Sequence, residues 1–503
     1  MRSFILALDA GSSSIKGALF DDAGNPVAEA SSPVALIRKK HGVVERDLAM
    51  VWKAVLAVLR LIQEKAPRQF GSIDVLSVTG AGDGLILLDD SNSLARPAIT
   101  SLDTRATGFV SRFKKSRGAR DLYALIGEIP YPATALALLK WVKVNEPSCY
   151  NRARKIVFLK DWVRFKLTSE ICTDITDASA TLTDFKGQYR KEIFDAFGVP
   201  ESMGKTVRVL KSNELAGQIT RRASALTGLK TGTRVVCGLH DCSASSLGTG
   251  CTKPGEVCII LGSWCGNQIV TDRPVLNRRN PDHQILRNYA IPDSWLIISA
   301  SPTSLVNLDW FMNTFMLERT QGNAEAHSAY ALVDALVART QSDDSLIFHP
   351  YLYGSQSSEQ ASAGFYGIRP WHTFGHFLTS IYEGIAINYS IHEDYLEESL
   401  GIRNVSACGG GASSGVLVQT IADALNRKIR LFSSHQTTAL GAAITAAVGI
   451  GIYGSFAQAC RAMTSIRGVL APRKKEASLM KKKKADFVKL YQQMMPLWRG
   501  TQA

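Results

Sequence analysis

The sequence predicts an α/β protein built from two similar halves, and three observations carry that prediction. A strand, a Gly/Ser corner and a second strand occur at Asp9 and again at Gly262. A strand running into a glycine turn occurs at Gly80-Ala81-Gly82-Asp83-Gly84 and again at Gly409-Gly410-Gly411-Ala412. Pro254-Gly255 falls between the copies and marks a seam, so the halves join near residues 243–254.

Phe4 to Leu8 is a short apolar run, read as the first strand. Ile15 to Phe20 reads as the second, Asp22-Ala23-Gly24-Asn25 as a turn, and Pro26 to Val34 as a returning third strand. Asp47 is placed to cap a helix whose apolar face holds Met50, Val51, Val55, Leu56, Val58, Leu59 and Leu61. Val75 to Thr79 and Arg234 to Cys237 are further strands; residues 104–235 otherwise alternate amphipathic stretches and turns. In the second half Glu256 to Leu261, Asn267 to Val270 and Val405 to Cys408 are strands, and Leu417, Val418, Ile421, Ala422 and Leu425 form a helix face. Beyond about residue 455 the chain reads as terminal helices, the last holding Phe487, Leu490, Tyr491, Met494 and Met495. The expected domains are 1–245, 246–460 and a basic helical tail over 461–503.

Composition excludes several classes. The chain has 503 residues, 46% of them apolar and 20% charged, which rules out disorder and collagen-like architecture. The formal net charge is +14, but the segment from Arg461 onward holds eleven Lys/Arg against two acids. That excess reads as the solvated face of a terminal helix, so no nucleic-acid partner is expected. Nine cysteines form no CxxC pair, and with no His pair beside them they read as reduced buried thiols of a cytoplasmic protein. Leu431 to Cys460 lacks charged side chains, but His435, Gln436, Gln458 and four glycines make it a buried helix rather than a membrane span.

Four motifs carry chemistry. In Asp9-Ala10-Gly11-Ser12-Ser13-Ser14-Ile15-Lys16, Gly11 permits a tight turn where N–H and Ser hydroxyl groups cradle oxyanions. Lys16 supplies a point charge, and Asp9 is suited to hold magnesium through water. The corner at Gly262-Ser263 repeats the device, and two such hairpins face to face would clamp a triphosphate. Gly238-Leu239-His240-Asp241 ends a strand with a carboxylate suited to accept a hydroxyl proton, although Asp241 could equally cap the following helix. Gly409-Gly410-Gly411-Ala412-Ser413-Ser414 opens a helix and suits a nucleotide.

Taken together, these motifs resemble the FGGY family of carbohydrate kinases, and the resemblance covers nearly the whole chain. The most specific part is Gly409 to Ser414 running through Gln419, Ala422-Asp423 and Ala439-Leu440-Gly441-Ala442-Ala443. The resemblance implies two duplicated actin-like, ribonuclease-H-type domains with a cleft between them. It implies an ATP-dependent kinase of a small ketose or polyol, with Mg2+, and with ATP mainly on the second domain and the acceptor mainly on the first. Asp241 would be the general base; Ser12, Ser13, Lys16, Gly262, Ser263, Gly410, Gly411 and Ser414 would hold ATP; Gly82, Asp83, Asp103 and His240 would face the acceptor with Asp241. Family members often form homodimers; no membrane partner is expected.

Ala300-Ser301-Pro302-Thr303-Ser304 and Phe348 to Ser355 resemble the L-xylulose/3-keto-L-gulonate kinases, whereas Gly82-Asp83-Gly84 and Leu102-Asp103-Thr104-Arg105 look more like erythritol kinases. Ser101 departs from the tryptophan of many relatives. The Asp83 carboxylate is expected to repel a sugar acid, which favours an uncharged acceptor. An actin-like ATPase with no sugar acceptor is the alternative, and Asp83, Asp103 and Asp241 speak against it.

Overall fold

Strand Phe4–Ala10 turns through Gly11, Ser12 and Ser13 and returns antiparallel as Ser14–Asp21, beside which Pro26–Pro33 adds a third strand. Asp9 is the one polar residue among the apolar ones of the first strand, which is central because Ile73–Gly80 pairs parallel on its other side. Arg234–Val236 and Leu239–His240 both continue in parallel from Ile73–Gly80, and Leu215–Gln218 forms the far edge. This computed structural model describes residues 3–278, 280–316, 326–398 and 400–500.

The second half repeats the pattern. Glu256–Leu261, Cys265–Thr271 and Trp295–Ser301 run antiparallel, with Ile285–Asn288 outside them. Asn404–Cys408 pairs parallel with Glu256–Leu261, and Ile429–Phe432 pairs parallel with Asn404–Cys408. Three antiparallel strands followed by parallel ones, twice over, make the duplicated ribonuclease-H-type architecture that the motifs implied.

Helix Leu48–Lys65 packs on the first sheet, and Asp47 caps it by accepting the Ala49 N–H. Its buried stripe is Leu48, Val51, Ala54, Val55, Val58, Leu59 and Ile62. Met50 and Leu61, expected in that face, are exposed, because they fall on the flanks of the stripe. Between the sheets, helix Asp241–Gly248 crosses helix Thr437–Gly449 at backbone contact. A Cβ on Gly441 would fall 1.8 Å from the Ala244 carbonyl oxygen, so only glycine allows this approach.

The C-terminal segment differs from expectation in one element. Ile466–Leu470 is a strand on the edge of the second sheet; its mostly exposed side chains carry no apolar alternation that would announce it. Helix Lys474–Gly500 then lies against the second half, with Phe487 fully buried. Its basic run is tied down: Lys482 pairs with Asp344 and Lys484 with Asp394, both at 2.6 Å, and Lys483 is buried against Glu383. The last three residues of the expected tail, 501–503, lie outside the described residues. No described helix is long and apolar enough to cross a membrane.

Candidate active site

The first hairpin places Asp9 at the end of its strand, across from Lys16 on the returning strand and Thr79 on the neighbouring one. Asp9 Oδ1 is enclosed and has no hydrogen-bond partner. Burial, reinforced by the nearby negative charge of Asp241, pushes the carboxyl up to about 7 although Lys16 pulls it down. An enclosed carboxylate oxygen that lacks a donor and is strained by a second carboxylate fits a divalent cation. Ser12 and Ser13 form the tip, with Ser13 and Lys16 exposed. Arg46, which the motif reading passed over, braces the turn from inside: its Nη1 donates to the Gly11 carbonyl at 3.2 Å and its Nη2 to the Ser12 carbonyl.

Asp241 begins helix Asp241–Gly248 with its side chain 35% exposed. The capping role open to it belongs instead to His240, whose Nδ1 accepts the Cys242 N–H at 3.1 Å. Asp241 Oδ1 lies 3.0 Å from the same Nδ1, which donates to it only when protonated and then in place of accepting the Cys242 N–H; the carboxylate stays open to solvent. His240 is itself held by its backbone N–H, which donates to Thr176 Oγ1 at 2.8 Å. Gly82 packs against the other side of the ring, where a Cβ would fall 2.0 Å from Nε2 and 3.0 Å from Asp177 Oδ1.

Behind this layer sits a buried charge cluster that the motifs did not reveal. Lys160 bridges Asp161, Asp174 and Asp177 at 2.7, 2.9 and 3.0 Å, all four side chains being about 1% exposed or less. Asp174 caps the 175–178 turn that carries Thr176, and it also accepts from Ser212. Lys160 therefore anchors the turn that positions His240. Burial pushes Asp177 up to about 6 despite Lys160.

Asp83 lies close by but is not a free carboxylate. It holds a left-handed backbone conformation (φ 58°), accepts from Tyr131 Oη at 2.5 Å and pairs with Arg287 at 3.3 Å. Arg287 comes from the second half and also binds Glu128 at 3.0 Å. One guanidinium thus answers two carboxylates, which weakens the expected repulsion of a sugar acid without cancelling it. Asp103 does not join the group: its buried carboxylate accepts from Val44 N–H at 2.6 Å and from Arg105, within a network that includes Glu45 and Arg96. A carboxylate so committed braces the loop and offers no oxygen to an acceptor, which corrects the expected substrate contact.

On the second half, Gly262 and the exposed Ser263 form the matching corner, and Gly262 accepts the Leu305 N–H through its carbonyl. Gly410 is exposed with open space around it, and Gly411 is buried beside Leu261. Ser414 is occupied: it caps helix Gly415–Leu425 through Leu417 N–H and donates to Asp334 at 2.7 Å. A hydroxyl used twice in this way supports the turn, so the expected ATP contact is corrected to a structural one. Beside the glycine turn a small open recess is lined by Gly409, Ala412, His435, Thr437 and Arg467. His435 and Arg467 were missed because no local motif marks them.

Comparison with known proteins agrees with this geometry. Residues 4–248 match the N-terminal domain, and residues 257–450 the C-terminal domain, of the FGGY family of carbohydrate kinases. The chain is 30% identical over 464 residues to the L-xylulose/3-keto-L-gulonate kinase of Escherichia coli, covering 92% of this chain and 91% of the relative. It is 27% identical over 460 residues to the xylulose kinase of Bacillus subtilis, covering 90% and 89%. The crystal structure of xylulose kinase from Rhodospirillum rubrum superimposes with a TM-score of 0.87 at 25% identity, over 99% of this chain and 100% of that one. With both domain models matched in order and the duplicated fold in place, the chain belongs to the FGGY family of carbohydrate kinases.

Proposed function

We propose that this sugar kinase transfers the γ-phosphoryl group of ATP to a hydroxyl of a small ketose or polyol, with Asp241 as general base. The observation that carries the reading is the state of Asp241. It is open to solvent, released from capping duty by His240, and close enough to Asp9 for their charges to oppose each other. A base that orients and accepts the acceptor's hydroxyl proton needs that combination of fixed position and free oxygen.

The remaining residues divide by face. Ser12, Ser13 and Lys16 on one hairpin, with Gly262 and Ser263 on the other, would cradle the phosphates through N–H groups, hydroxyls and one ammonium. Gly410 and Gly411 leave backbone open to the nucleotide beside the recess that includes Arg467. Asp9 would hold Mg2+, which when bound offsets phosphate charge. Gly82, Asp83 and His240 would meet the acceptor, and the L-xylulose named for the Escherichia coli relative is the first compound to try. Nine free cysteines fit a reducing cytoplasm.

The test is an ADP-release assay over pentuloses, tetritols, pentitols and sugar acids. ADP release that depends on one acceptor class supports the reading. Vigorous ATP hydrolysis that no acceptor alters would favour an actin-like ATPase instead.

A further inference from the structure

Resting on the kinase reading above, we infer that Arg46 recognises a carboxylate on the acceptor, so that the preferred acceptor is a sugar acid. Arg46 is 3% exposed, and among the described residues no carboxylate comes within 4.0 Å of it. The two other arginines of this region are equally buried but fully paired: Arg96 with Glu45 and Glu146, and Arg105 with Glu45 and Asp103. Arg46 makes bonds only to the Gly11 and Ser12 carbonyls, and its Nε is enclosed without a partner.

Neutral donors would serve those carbonyls equally well, so the brace does not explain the charge. A buried cation without a counter-ion is costly, and burial pushes this guanidinium down to about 10. The missing anion has a place to go. Arg46 lines a small open recess together with Ala81, Asp83, Thr100 and Ser101. Ser101 leaves that wall open. Asp83, the one acid of the recess, pairs with Arg287, whereas Arg46 has no carboxylate partner among the described residues. Phosphate is the less suitable anion, since the guanidinium lies on the carbonyl side of the hairpin, whereas phosphate is met by N–H and hydroxyl groups.

The test compares kcat/KM for 3-keto-L-gulonate and L-xylulose in wild type, Arg46→Gln and Arg46→Lys. Wild type should favour the acid. Arg46→Gln should lower the acid-to-neutral ratio by about 10- to 100-fold, and Arg46→Lys should retain part of it. A wild-type preference for L-xylulose overturns the inference whether or not any variant folds. So does an Arg46→Gln protein that loses both acceptors equally, or that loses nucleotide affinity instead. Turnover of L-xylulose alone overturns only the role of Arg46; turnover of no acceptor overturns the kinase reading with it.

Discussion

Gly82 and His240 touch so closely that a single methyl group could not fit between them: a Cβ on Gly82 would lie 1.9 Å from the imidazole Cδ2. The residues are far apart in sequence, but Leu239–His240 pairs parallel with Ile73–Gly80, which brings the glycine turn against the ring. The contact fixes the ring whose Nδ1 lies 3.0 Å from Asp241 Oδ1.

Gly82→Ala should therefore displace His240 without unfolding the domain. A shift of about 1 Å in a catalytic group can cost on the order of 10²-fold in rate. Steady-state kinetics should show kcat/KM falling by about that factor, with the melting temperature little changed. Wild-type kinetics in the alanine variant would show that the ring does not position the base.

Lys160→Met removes the cation that Asp161, Asp174 and Asp177 share and leaves them buried together. Breaking a buried ion pair costs about 3–5 kcal/mol. Chemical denaturation should show a loss of that size. Arg164 limits the damage at Asp161, with which it pairs at 3.0 Å, so the 174–178 turn and His240 should suffer most. Unchanged stability would show that the cluster is held by other means.

Glu393 gives a pH test independent of catalysis. Burial pushes its carboxyl up to about 7 although Arg427 lies 3.4 Å away. The folded protein therefore holds a proton that the unfolded chain releases near pH 4.5, and stability falls as pH rises from there through about 7. Glu393→Gln removes that loss. Thermal melts should place the variant above wild type at pH 8 and converge with it near pH 5. A variant less stable than wild type at pH 8 would mean that the Arg427 pair outweighs burial.

What the sequence revealed was mostly local. Both Gly/Ser hairpins, the glycine turn at Gly409 and the strand-end position of Asp241 are spelled in runs of four to eight residues, where turn chemistry and apolar runs are decisive. Pairings set by tertiary approach were not legible. Arg287 meets Asp83 across 204 residues, and nothing near either residue announces it. Arg46 sits in an ordinary-looking Glu45-Arg46-Asp47 run whose importance comes from the hairpin folded over it. Asp103 and Ser414 enter the expected site through motifs that resemble the family's, but Arg105 and Asp334 take up their polar atoms. Strand Ile466–Leu470 escaped because an exposed edge strand carries little apolar periodicity.

The most direct measurement is the turnover and ATP affinity of Asp241→Asn. The amide keeps the shape of the side chain but cannot take the acceptor's proton, so kcat should fall by about 10²- to 10⁴-fold. ATP affinity, measured by calorimetry without acceptor, should stay close to wild type, because the phosphate hairpins are untouched. Wild-type turnover in Asp241→Asn would contradict the account and reduce Asp241 to a residue at the start of a helix.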